Sequence, residues 1–216
     1  MSFTEDISKM VGPMHKLPEL WDGRKSIVEM KDNGYGQWKQ MEWIGWYFQF
    51  LCARTLRRIL EMPGPRFGNA EFDAMGSVPL DFKAHAMNTS SHQIIVNDSE
   101  ATAGAIGRYG AVGLVLALGE VEYNDENRAF QAWHNALKGG ESHYEVERKK
   151  RGAWSRLRKR SFRLKQISFV EITDDTLIKC GSFQTDFRNA DGSPRRSKVL
   201  LDLEKIDDEI KRTLEF

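Results

Sequence analysis

The residues best suited to chemistry are Asp73 and, seven positions further on, the triplet Asp81-Phe82-Lys83. Side chains on a strand alternate between faces, so Asp81 and Lys83 would point to one side and Phe82 to the other. A carboxylate and an ammonium are then presented together. The flanking segments AEFDAM and VPLDFKAHA are strand-like and meet at Gly76-Ser77, a pair suited to a tight turn. Such a hairpin brings Asp73 beside the triplet. Two carboxylates can hold a hard divalent cation such as Mg²⁺. A cation there polarises a phosphodiester and activates water, while a neighbouring lysine orients that water or offsets developing negative charge. The expected metal-binding set is Asp73, Asp81 and Phe82, with Lys83 beside it. His85 falls on the same strand face and could bond to phosphate or water, although a packed histidine is the commoner use of such a position. The plain alternative is a solvated hairpin edge, since strings of this kind arise often by chance.

The elements that must position these residues can be read from periodicity. Apolar residues recur from Gln37 to Leu60 at Trp38, Met41, Ile44, Phe48, Leu51 and Ile59, and MPGPRFG ends the run, which predicts one long buried helix. HQIIV reads as a strand, residues 98–109 as a helix, and Val112 to Leu118 as an apolar strand. Asn124 to Lys138 is amphipathic, and the basic stretch after it has helical spacing in part. ISFVEI, TLIKCGSF and SKVLLDL read as strands, and EKIDDEIKRTLEF as a charged C-terminal helix. Interleaved helices and strands predict an α/β fold with a central mixed sheet flanked by helices. Gly104, Gly107, Gly110 and Gly113 lack the Lys-Ser/Thr of a phosphate loop and fit turns and close packing better.

With these residues in view, Asp73…Asp81-Phe82-Lys83 on a hairpin after a long helix resembles the PD-(D/E)XK nuclease core, in particular the type II restriction endonuclease-like members. Phe72 stands where Pro is usual, and Asp81 where Glu is commoner. The resemblance covers roughly residues 36 to 120. It implies a restriction-endonuclease-like core and Mg²⁺-dependent cleavage of DNA, with a further acid from the preceding helix, for which Glu42 in GYGQWKQMEWIGW is the matching candidate. The catalytic set is then Asp73, Asp81, Lys83, Glu42 and His85. Burying three such acids without a cation would cost several kcal/mol per charge, so a purely structural role must find partners for all of them.

Chain length and charge support this frame. The 216 residues, 40% hydrophobic, suit one well-filled core, and no run approaches the roughly 18 apolar residues of a membrane span. We expect a single domain: residues 1–35 as an N-terminal extension, 36–140 as the catalytic core, and 141–216 as a basic DNA-binding segment with C-terminal strands and helix. The N-terminus lacks a signal-like apolar centre, and Cys52 and Cys180 lack metal-ligand spacing, so the expected location is the cytoplasm. Formal net charge is +1, but ten of the eighteen residues from Arg148 to Lys165 are basic and none is acidic, leaving +1 − 10 = −9 for the remainder. Such asymmetry favours a polyanion on one face. The expected DNA contacts are Arg148, Lys149, Lys150, Arg151, Arg156, Arg158, Lys159, Arg160, Arg163 and Lys165, with Arg195 and Arg196 in a smaller cluster that includes Lys198. The expected partners are double-stranded DNA, a second copy of the chain related by two-fold symmetry, and a companion DNA methyltransferase acting on the same site. A repair nickase or junction resolvase on the same core, and a non-catalytic DNA-binding module, are the rival readings.

Overall fold

The structure is a computed structural model that describes residues 2–123, 127–153, 157–185, 188, 193–208 and 210–216. In chain order it runs α1 (Phe3–Met14), β1 (Leu20–Asp22), α2 (Gly23–Asp32), a 3-10 turn at Gly36–Lys39, α3 (Trp43–Leu56), then the short strands β2 (Arg66–Phe67), β3 (Ala70–Glu71) and β4 (Ala74–Met75). Next come β5 (Pro79–Ala86), β6 (Gln93–Asp98), α4 (Ser99–Tyr109), β7 (Val112–Glu122), α5 (Ala129–Lys138) and α6 (His143–Lys150). The last third holds β8 (Ser161–Ile172), α7 (Asp174–Cys180), β9 (Gly181–Gln184), β10 (Lys198–Asp202), a 3-10 turn at Leu203–Lys205 and β11 (Lys211–Glu215).

The central sheet has the order β1, β8, β7, β5, β4, with β11 also paired to β8. β5 and β7 are parallel and the other pairings antiparallel, so the sheet is mixed, and helices flank it. β7 is apolar on both faces, as a central strand must be. Gly113 lies on it because a Cβ there would come within 2.4 Å of the Leu80 side chain and 2.6 Å of Phe3. The sheet separates two apolar clusters. On one side Phe82, Val115, Ala117, Phe162 and Phe169 pack against Met10, Met14, Ile27, Met30 and Phe48 of α1, α2 and α3. On the other side Leu114, Leu116, Val170 and Ile172 pack against α4 and a second, three-stranded sheet ordered β6, β10, β9. Among the described residues no helix is long and apolar enough to cross a membrane.

Four expectations need correction. The first 35 residues are no extension, since α1 and α2 bury Phe3, Ile7, Met10, Met14, Ile27 and Met30 in the main core. The long helix is broken after Lys39 and restarts at Trp43. Two tertiary bonds hold that break: His134 Nε2–H donates to the Trp38 carbonyl at 3.0 Å, and the Trp43 indole donates to the Lys159 carbonyl at 2.8 Å. TLIKC is helix α7, capped by the Thr173 hydroxyl accepting from Thr176 N–H, and only the following residues form a strand. The C-terminal residues form β11, not a helix. They pair with Gln166–Val170 on the edge of β8, which would otherwise expose unpaired backbone groups, and β1 covers the same edge at Ser161–Arg163.

Candidate metal centre and nucleic-acid surface

The acids are positioned by backbone pairing. Register places Asp81 beside Leu114, Phe82 beside Val115 and Lys83 beside Leu116 on the parallel strand β7. Parallel partners share a face, so Asp81 and Lys83 lie on the side of β6 and α4 while Phe82 enters the helix-covered core. The chain turns at Gly76-Ser77 as the sequence predicts and pairs Ala74 with Leu80, but AEFDAM is not one strand, because Ala70-Glu71 pairs with β2 and only Ala74-Met75 joins β5. The turn is tied to α1: buried Asp6 accepts from the Ser77 N–H and hydroxyl, both at 2.6 Å. Asp73 sits just ahead of β4. Its N–H donates to the Leu80 carbonyl at 2.9 Å, and its Oδ2 accepts from Phe82 N–H at 2.7 Å and from Gln49 Nε2 at 3.2 Å. The same Gln49 nitrogen lies 3.4 Å from the Phe82 carbonyl oxygen. Asp73, Phe82 and Gln49 therefore meet at the edge of β5, where a cleft of about 370 Å³ opens between Tyr35, Gln49, Glu71 and Asp73.

Asp81 is 1% exposed. Its Oδ1 takes Lys83 Nζ and Asn97 Nδ2, each at 3.4 Å, while Oδ2 is buried with no hydrogen-bond partner. Among the described residues it is the one carboxylate oxygen in that condition. Burial raises the Asp73 pKa from 3.8 to about 6; Lys83 and the bonds from Phe82 and Gln49 oppose the rise, and the charge of Asp81 adds to it. Burial likewise raises Asp81 against the pull of Lys83, Asn97 and Lys198. Burial works against the charge of Lys83, but Asp81 and Asp73 outweigh it and hold its pKa above the ordinary lysine value. Among the described residues Lys83 is the one ammonium within 4 Å of Asp81, with Lys198 acting on it from farther off, and burial still outweighs both and makes the ionised carboxylates costly at this depth.

That donor set suits a hard divalent cation: two carboxylates and a backbone carbonyl, all oxygen, with one buried oxygen lacking any partner. Among the described residues no group of three His, Cys, Asp or Glu side chains gathers as a metal site. A site of two carboxylates leaves coordination positions for water, as Mg²⁺ prefers.

Other expected site residues lie elsewhere. Glu42, at the start of α3, has a side chain 73% exposed and pairs with Lys159 at 3.2 Å. It makes no contact with Asp73 or Asp81. The helix contributes Gln49 instead, seven residues on and about 10 Å further along the axis. Gln49 is the one carboxamide in the apolar run Trp43–Ala53, and a polar group in so apolar a helix was the signal available to sequence reasoning. His85 Nε2–H donates to the Ser91 carbonyl at 2.8 Å, which ties it to the β5–β6 loop, and burial lowers its pKa.

The basic segment is only partly available to an anion. Acids outside the run meet it: Lys149 pairs with Glu141, Lys150 with Glu147 at 2.8 Å, and Lys165 with Glu120 at 3.4 Å. Arg158 is buried and paired with buried Glu145 at 3.2 Å, which removes it from the expected phosphate contacts. Arg148 Nε donates to the Ala153 carbonyl. Arg151, Arg160 and Arg163 are exposed, and Arg156 lies outside the described residues. Nearer the acids is the smaller cluster. Arg195, Arg196 and Lys198 line a cleft of about 480 Å³ together with Asn97, whose amide reaches Asp81.

No family model matches this sequence, and no curated protein does. Among solved structures, the restriction endonuclease BglI bound to its DNA recognition sequence aligns over 82% of this chain and 73% of its own, with 9% identity and a TM-score of 0.39. A likeness of that degree assigns no residue a role. The roles considered for Asp73, Asp81 and Lys83 rest on where their atoms lie.

Proposed function

We propose that the protein is a Mg²⁺-dependent endonuclease that hydrolyses double-stranded DNA at a specific sequence, in the manner of a type II restriction enzyme. The observation that carries this reading is the buried, unpartnered Oδ2 of Asp81, set beside a second raised-pKa carboxylate and a lysine. Asp73, Asp81 and the Phe82 carbonyl would hold the cation. A cation held there would supply Lewis-acid polarisation of the scissile phosphate and would ease ionisation of the attacking water. Lys83 stays cationic, because both carboxylates stabilise its charge. Its ammonium is anchored to Asp81 Oδ1 and a quarter exposed, so it can orient water and offset charge gathering on the phosphate. Arg195, Arg196 and Lys198 offer the neighbouring phosphates a cationic wall. A homodimer would place one such centre on each strand, and a companion methyltransferase would protect the same site in host DNA.

The test is digestion of a supercoiled plasmid of known sequence with Mg²⁺, followed by sequencing of fragment ends, for wild type and Lys83→Ala. Discrete linear fragments are expected from wild type, and none from the variant, while both bind DNA. Nicked circles, or cleavage confined to branched DNA, would move the assignment to a repair nickase or resolvase. Intact plasmid with salt-sensitive binding would leave a non-catalytic DNA-binding module. Undiminished cleavage by Lys83→Ala would refute the role given to that lysine.

A further inference from the structure

Gln49 is placed where the Mg²⁺ site proposed above would lie, and its contacts define what it does there. Its Nε2 faces two oxygens at once, Asp73 Oδ2 at 3.2 Å and the Phe82 carbonyl at 3.4 Å. Both are acceptors, so the atom facing them must be the amide nitrogen. These are the oxygens assigned above to the cation. As placed, the amide nitrogen does electrostatically what a cation would do, holding together two oxygens that would otherwise repel. At the other end, Gln49 Oε1 accepts from the Tyr35 hydroxyl at 3.4 Å. A hydroxyl is both donor and acceptor. If the amide turns over, Tyr35 can accept from Nε2 as readily as it now donates to Oε1, so neither end loses its partner.

We propose that Gln49 is a two-state arm of the cation site: its amide nitrogen clamps Asp73 and the Phe82 carbonyl while the site is empty, and turns to present Oε1 when a divalent cation binds, with Tyr35 serving both orientations. This inference rests on the metal-site reading. It assigns the helix contribution to a neutral amide two turns beyond Glu42, so the helix adds no charge to the site. The half-buried position of Gln49 on α3, within an otherwise apolar stretch, keeps the amide close to the acids in both orientations.

The experiment measures cation binding, not cleavage. Mn²⁺ is titrated into the metal-free full-length protein and followed by the electron paramagnetic resonance signal of unbound Mn²⁺, with thermal unfolding as a check on folding. Gln49→Ala is expected to weaken Mn²⁺ binding about 10-fold, the lower end of the roughly 10–100-fold lost when a partner of a metal site is removed. Gln49→Glu should bind at least as tightly as wild type, and Tyr35→Phe should bind more weakly while melting normally. In protein carrying ¹⁵N-labelled glutamine, the Gln49 side-chain amide resonance should move on saturation with Mg²⁺. Wild-type affinity in Gln49→Ala, tighter binding in that variant, or an unmoved resonance would each overturn the proposal. If DNA is cut but Gln49→Ala binds Mn²⁺ normally, this inference alone fails. If the Gln49 effects appear and no DNA is cut, the nuclease reading alone fails, and absence of Mn²⁺ binding by wild type sinks both.

Discussion

Replacing Asp73 by Asn isolates the energetic cost of the acidic cluster. In the folded, metal-free protein the Asp73 pKa is raised from 3.8 to about 6, chiefly by burial. A folded-state pKa above the unfolded one means that the folded protein holds the proton more tightly. Its stabilising contribution is full below pH 4 and is lost as pH rises through about 6. The change from 3.8 to about 6 corresponds to about 3 kcal/mol, at roughly 1.4 kcal/mol per pKa unit. Asn resembles the protonated acid and can still accept from Phe82 N–H and Gln49 through its carbonyl. In the presence of a chelator, wild type should therefore lose about 3 kcal/mol of stability between pH 4 and pH 8 that Asp73→Asn retains, or about 6–12 °C in Tm for a chain of this size. Urea unfolding of both proteins at several pH values measures the difference. Mg²⁺ at 100 times its Kd should return about 2.7 kcal/mol to wild type at pH 8 and much less to the variant. Parallel pH profiles for the two proteins would refute the claim that these acids are held at a cost that a cation relieves.

Other perturbations have definite expectations. Glu42→Ala should change Mg²⁺-dependent cleavage by less than about 2-fold and stability by at most about 1 kcal/mol, because only an exposed ion pair to Lys159 is lost; a 100-fold loss of cleavage would restore Glu42 to the site. Arg158→Ala should destabilise the protein by about 1–3 kcal/mol, since it removes a buried charged partner from Glu145, which Gln131 and Lys138 still reach. Denaturant unfolding reads that loss, and a variant that melts normally but binds DNA weakly would return Arg158 to the phosphate contacts. Cation binding should tighten as pH rises through about 6, with proton release, because Asp73 must ionise to serve as a ligand; calorimetry in buffers of different ionisation enthalpy counts those protons.

Local pattern determined much of this protein. The Gly76-Ser77 hairpin, the apolar run of β7 and the helix from Ser99 to Tyr109 follow from alternation, composition and caps within a few residues of one another, and the hairpin returns the chain so that Asp73 bonds to Leu80 and Phe82, on either side of Asp81. Tertiary structure decided what depends on partners far along the chain. Trp38, Met41 and Ile44 share a helical period, but bonds from His134 to Trp38 and from Trp43 to Lys159 accompany a break between Lys39 and Trp43, which leaves Glu42 at an exposed end and gives its place beside the acids to Gln49. The C-terminal residues have the charge pattern of a helix, yet an open edge on β8 made them a strand. The basic run contains no acid of its own, yet Glu42, Glu120, Glu141 and Glu145 reach it from outside the run. Backbone pairing within a hairpin is short-range and written in adjacent residues, whereas charge compensation and edge coverage are settled only when distant segments compete for the same unsatisfied groups.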